Sequence, residues 1–112
     1  MALSRVAIRS TKDKGVGLAV RQVMDSCDWE SVVPEGARVV VKPNLCTPSL
    51  ELVEVANTSP EVLSAVCKVL KTRTEDVVIG ESDGIRYSAE EAFTINHTYE
   101  VGGEFDFEVK SF

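Results

Sequence analysis

The chain has 112 residues, enough for one domain with a modest core. Its 44% apolar and 27% charged residues are ordinary globular values, which speaks against wholesale disorder. The formal charge of −6 speaks against a nucleic-acid binder, which needs a basic face, and against adsorption to anionic membranes.

Arg5-Val-Ala-Ile-Arg9 opens the chain as an expected first strand. The N-terminus Met1–Ile8 is too short and too early interrupted for a secretory signal, and no apolar run approaches the roughly 18 residues of a spanning helix. A cytoplasmic protein is therefore expected. Val16, Val20, Val23, Met24 and Cys27 then recur at helical spacing, with Lys12, Lys14 and Arg21 off the stripe. Trp29–Val33 leads into the turn signal Pro34-Glu35-Gly36. Val39-Val-Val41 is a continuous apolar run, the pattern of a strand covered on both faces.

The best-specified element follows a long connection. Ser59 is a good N-cap, Pro60 suits the first helical position, and Glu61 complements the positive end of the helix dipole. Val62, Leu63, Val66, Val69 and Leu70 give this helix one apolar face. Asp76–Gly80 repeats the buried-strand pattern, and Ser88-Ala-Glu-Glu91 is a capping box that opens a short helix. Phe105, Phe107 and Val109 alternate with charged residues, as in a half-exposed strand.

The expected order is β-α-β-α-β-α-β, with crossovers long enough to require parallel neighbours. The fold class is α/β: a Rossmann-like three-layer sandwich with a mostly parallel sheet, in a single domain spanning residues 1–112. Two features look unfinished. The chain stops soon after its last strand, and the apolar stretch Leu50–Ala56 lies in a connection too long for a simple βα loop. Both suggest either a further part of a longer domain or a partner chain.

In a parallel sheet three loops meet at the carboxyl edge, where open α/β folds bind ligands. They are Lys42 to Asn44, Asn57 to Ser59, and Glu81 to Asp83. Lys42 is a point-charge donor for a phosphate or carboxylate, and Asn44 offers both a donor and an acceptor. The free N–H groups at the start of the Ser59–Pro60 helix favour an anion, with the Thr58 and Ser59 hydroxyls beside them. Glu81 and Asp83, before Gly84, suit a ribose, a water or a ligand-lining turn; two carboxylates are too few for a metal site. Arg86 and Tyr87 either orient an anion or are plain surface residues. The bland alternative is a snorkelling Lys42 and an Asn44 that closes a turn.

Other motifs carry less. Cys27, Cys46 and Cys67 show no C-x-x-C spacing; Cys27 and Cys67 fall on helix patterns and read as buried thiols, while Cys46 sits in a loop as the one candidate for reactivity. His97, the sole histidine, stands in a polar loop without triad spacing. Gly15-Val-Gly17 lacks the third glycine of a dinucleotide fingerprint.

Three ordered motifs, Val39-Val-Val-Lys-Pro-Asn-Leu45, Thr58-Ser-Pro-Glu-Val62 and Val77-Val-Ile-Gly-Glu-Ser-Asp-Gly84, resemble the "domain of unknown function 362" family. The resemblance covers about Val39 to Phe93. It implies association with iron–sulfur or oxidoreductase proteins, because many members carry a ferredoxin-like cluster domain. This chain has no such cysteine set, so no cofactor is carried over. It also implies that the chain is an N-terminal portion of a longer family domain.

Three readings of function follow. The first is a cytoplasmic module that binds a small anionic ligand through Lys42, Asn44, Thr58, Ser59, Glu81 and Asp83. The second is a fragment of an iron–sulfur-associated oxidoreductase or group-transfer enzyme. The third is a structural or dimerisation module that uses Leu50–Ala56 and the last strand. No nucleic acid and no membrane is expected as a partner, and the sequence leaves open whether the chain is an enzyme.

Overall fold

Val77-Val-Ile-Gly-Glu81 forms the central strand of a three-stranded parallel sheet in the computed structural model, which describes residues 3–112. This strand, β2, is buried along its whole length between β1 (Val39–Val41) and β3 (Glu108–Ser111). Val41 pairs with Ile79, and Ile79 pairs with Val109. Six helices complete the described residues. They are α1 (Gly15–Ser26), α2 (Trp29–Val32), α3 (Val53–Ala56), α4 (Pro60–Lys71), α5 (Ala89–Ile95) and α6 (Thr98–Phe105). The chain is therefore of the α/β class.

The main core lies on one face of the sheet. Leu63, Cys67 and Leu70 of α4 pack with Val77 and Ile79 of β2, Val101 of α6 and Trp29 of α2. The topology accounts for this one-sidedness. Two successive right-handed crossovers stepping the same way across a sheet set their helices on the same face. Accordingly α4 packs against both α1 and α6. On the other face Val40, Glu108 and Lys110 are exposed, and the Phe112 ring lies against Gly80. The described residues thus form helices on one face of a sheet; a third layer is not seen.

Local signals in α4 and α5 act as the sequence suggests. The Ser59 hydroxyl accepts from Val62 N at 3.2 Å, and Ser88 and Glu91 complete a reciprocal capping box. Elsewhere the structure differs. Arg5–Arg9 forms no strand, and Val6 and Ile8 are 82% and 81% exposed. A strand persists only with a hydrogen-bonded neighbour; here Arg5 and Arg9 reach Ser26 at the end of α1 instead. Cys27 is exposed, because α1 ends at Ser26 and it is Ala19 that turns into the core.

The expected strand from Phe105 is also corrected. Phe105 closes α6, Phe107 is buried, and β3 begins only at Glu108. Two adjacent glycines make α6 a poor helix by propensity. Packing overrides that: Gly102 presses so close to β3 that a Cβ there would sit 2.5 Å from Val109 Cγ2. Leu50–Ala56 forms only the single turn α3, with Leu50, Leu52 and Val55 exposed.

Candidate functional site

Because β1 and β2 are parallel, the residues that follow them emerge side by side. Lys42 Nζ stands 3.1 Å from Glu81 Oε2. The Lys42 side chain is 59% exposed, while that of Glu81 is only 7% exposed. The second Glu81 oxygen accepts from Ser82 N at 3.0 Å. A carboxylate withdrawn from water is tolerable when both oxygens are engaged, and here one meets a cation and the other an N–H.

The loop after Pro43 is clasped to the approach to α4. Asn44 N donates to Thr58 Oγ1 at 3.0 Å, and Thr58 N donates back to Asn44 O at 2.8 Å. Asn57 makes the tightest part of the clasp. Its Oδ1 accepts from Cys46 N at 2.7 Å and Thr47 N at 3.1 Å, while its Nδ2 donates to Thr47 O at 2.8 Å. Asn96, at the end of α5, adds a bond from Nδ2 to Thr58 O at 2.9 Å. The side-chain amide of Asn44 is left to point at Cys46 Sγ, 3.2 Å away.

The loop after β2 closes over the same end of the sheet. Asp83 Oδ1 accepts from Ala89 N at 2.8 Å and so holds the start of α5. Gly84 N donates to Tyr87 O, and the Tyr87 ring lies directly against Gly84, where any Cβ would collide with it. Tyr87 OH donates to Leu45 O at 2.8 Å, which ties the two loops together. Burial pushes the Tyr87 phenol above its ordinary pKa, the Cys46 thiol and the Glu81 carboxylate push the same way, and Lys42 opposes them.

Lys42, Glu81, Asn44, Cys46 and Tyr87 therefore gather at one end of the sheet. Beside them a cleft of about 740 Å³ opens between Cys46–Pro48 and Gly84–Tyr87, with Arg86 on its wall. The remaining expected residues are spread out. Thr58 serves the clasp, and Ser59 faces a different cleft of about 570 Å³ that also carries Glu54 and Glu61. His97 stands apart, its Nδ1 3.5 Å from Glu100 Oε1 on the exposed start of α6. No group of three metal-ligating side chains occurs among the described residues.

Sequence reasoning placed Asn57 in a loop at the sheet edge but gave it no role. An asparagine just before a helix N-cap is a turn-former whose side chain commonly bonds nearby backbone. Its actual partners lie about ten positions earlier, and only the folded loop reveals them. Likewise Tyr87 was legible as a flanking residue but not as the link to Leu45.

The family model described as "Domain of unknown function (DUF362)" matches residues 39–112. The chain belongs to this family. The matched stretch begins with β1 and contains both strand-end loops, so the family region includes the whole Lys42–Glu81 end of the sheet. Neither the curated proteins nor the solved structures gave a match. No helix among the described residues is long and apolar enough to cross a membrane.

Proposed function

We propose that this domain binds a small anionic ligand at the carboxyl edge of its sheet, as a cytoplasmic module of Rossmann-like type. The observation that carries the reading is the Lys42–Glu81 pair. It fixes an ammonium group at the junction of two parallel strands, where open α/β sheets receive ligands. Lys42 spends one N–H on Glu81 and keeps two for a ligand. Arg86 brings a second cation to the adjoining cleft. Cys46 lines that cleft with the Asn44 amide donating to its sulfur, and Asp83, committed to Ala89 N, supports the loop.

The anion belongs here and not at the start of α4. Ser59 Oγ is occupied by Val62 N, and Glu54 and Glu61 on the same cleft repel an anion. Thr58 and Ser59 thus position the loop; Lys42 and Arg86 meet the ligand.

Calorimetric titration with inorganic phosphate and with small dicarboxylates at low salt tests the reading. A lost charge-assisted hydrogen bond is worth about 1.5–3 kcal/mol, so Arg86→Ala should weaken binding by about 10- to 100-fold. The Lys42→Met/Glu81→Gln double substitution, which leaves no buried charge unpaired, should do the same. Unchanged affinity in both variants, or no uptake of either probe by the unaltered chain, sinks the proposal.

A further inference from the structure

The N-terminal segment and the last strand are complementary in a way that neither exploits within one copy of the chain. Arg5-Val-Ala-Ile-Arg9 alternates like a strand, yet Val6 and Ile8 are almost fully exposed. Arg5 and Arg9 anchor it through bonds to a single residue, Ser26, at the end of α1. At the far side of the sheet, among the described residues, β3 has no neighbour beyond β2. Phe112 N donates to Glu81 O, so by alternation Val109 and Ser111 turn their N–H and C=O groups to the open edge. An unpaired edge of this kind is a template for another strand.

We propose that residues Arg5–Arg9 of one copy add as a strand to the β3 edge of a second copy. Charge decides between the two edges of the sheet. β1 is flanked by Arg38 and Lys42, which already hold Asp76 at 3.8 Å and Glu81 at 3.1 Å. This edge therefore leaves no free acid for an incoming Arg5 or Arg9, and it turns only Val40 outward between Arg38 and Lys42. β3 is preceded by Glu104 and Asp106 and begins with Glu108. With Ala7 set opposite Lys110, the small side chain leaves room for the lysine. One arginine then falls beside Glu108 and the other beside the exposed Phe112 ring, where a guanidinium stacks well. Val6 and Ile8 fall on the face of Val109 and Ser111, next to the core. Reciprocal exchange between two copies closes a two-fold dimer. This interface is independent of the anion site.

Sedimentation velocity of the full chain tests it, across concentration and at two salt levels. The expected result is a dimer favoured by concentration and weakened by salt. Arg5→Glu/Arg9→Glu should shift the chain to monomer, Glu108→Arg should do the same, and combining all three substitutions should recover part of the dimer, through the one re-formed pair at position 108. The sites are exposed, and circular dichroism checks that each variant is folded. A chain that stays monomeric throughout overturns the proposal, even if hydrogen exchange shows Ala7 protected within one copy. So does a dimer indifferent to the charge reversals.

Discussion

Lys42 and Glu81 form an ion pair in which the base faces water and the acid does not. Breaking it is therefore asymmetric. Lys42→Ala strands a buried carboxylate and should destabilise the fold by about 1–3 kcal/mol. Glu81→Gln keeps the shape and the contact with Ser82 N, so the Lys42→Met/Glu81→Gln double variant should recover most of that loss. Urea denaturation of the three proteins measures it. A Lys42→Ala midpoint equal to wild type refutes this account of the pair.

Asn57 holds the Asn44–Pro48 loop by three hydrogen bonds to backbone. Asn57→Ala should cost about 1–3 kcal/mol, since two backbone N–H groups lose their acceptor. Asn57→Asp keeps both acceptances and loses one donation, so it should be milder. Amide exchange at Cys46 and Thr47 gives the local reading: fast in the alanine variant, near normal in the aspartate variant.

The glycines at two close approaches should respond differently to alanine. At Gly102 the new Cβ meets Val109 Cγ2 at 2.5 Å and the Phe107 carbonyl at 3.0 Å, which is backbone and slow to yield. Overpacking of about 1–3 kcal/mol should exceed the helix-propensity gain of about 1 kcal/mol. At Gly80 the obstacle is the exposed Phe112 ring, a side chain with open space to swing into. Thermal melts should therefore rank Gly102→Ala below Gly80→Ala, and the reverse order refutes the packing argument.

Cys67 is buried, which with the nearby Glu104 carboxylate raises its thiol pKa from 9.0 to about 11. The native thiol thus stays protonated where the unfolded one ionises. Its contribution to stability is complete below pH 9 and is lost as pH climbs toward 11. Stability curves should fall more steeply over that window in wild type than in Cys67→Ala. Thiol labelling near neutral pH should modify Cys46 and Cys27, both exposed, and spare Cys67 until the chain unfolds.

Much of this was legible in the chain, for local reasons. Ser59-Pro60-Glu61 and Ser88–Glu91 carry their helix starts in side chains that bond their own backbone, so no distant residue is needed. Val77–Gly80 is a short apolar run and lies in the buried central strand. The like run Val39–Val41 lies at the sheet edge with Val40 exposed, because no described helix covers that face. The motifs that mark the family lie on these same elements. Lys42 and Glu81 also announced themselves, as charged residues that end apolar strands.

What local pattern left undecided was every feature that depends on a partner far along the chain. Arg5–Arg9 has the alternation of a strand but finds no neighbour, and alternation without hydrogen bonds does not make one. Thr98–Phe105 has glycines that argue against a helix, yet Gly102 is what lets that helix close on β3. The strand-end charges became a pair, and Asn57 and Tyr87 became loop clasps, only when parallel pairing brought three separate loops to one edge. Sequence alone determined the strand cores and helix caps, because those energies act over a few residues. The tertiary structure decided which charges meet and which edges stay open, because those depend on contacts that only the whole fold creates.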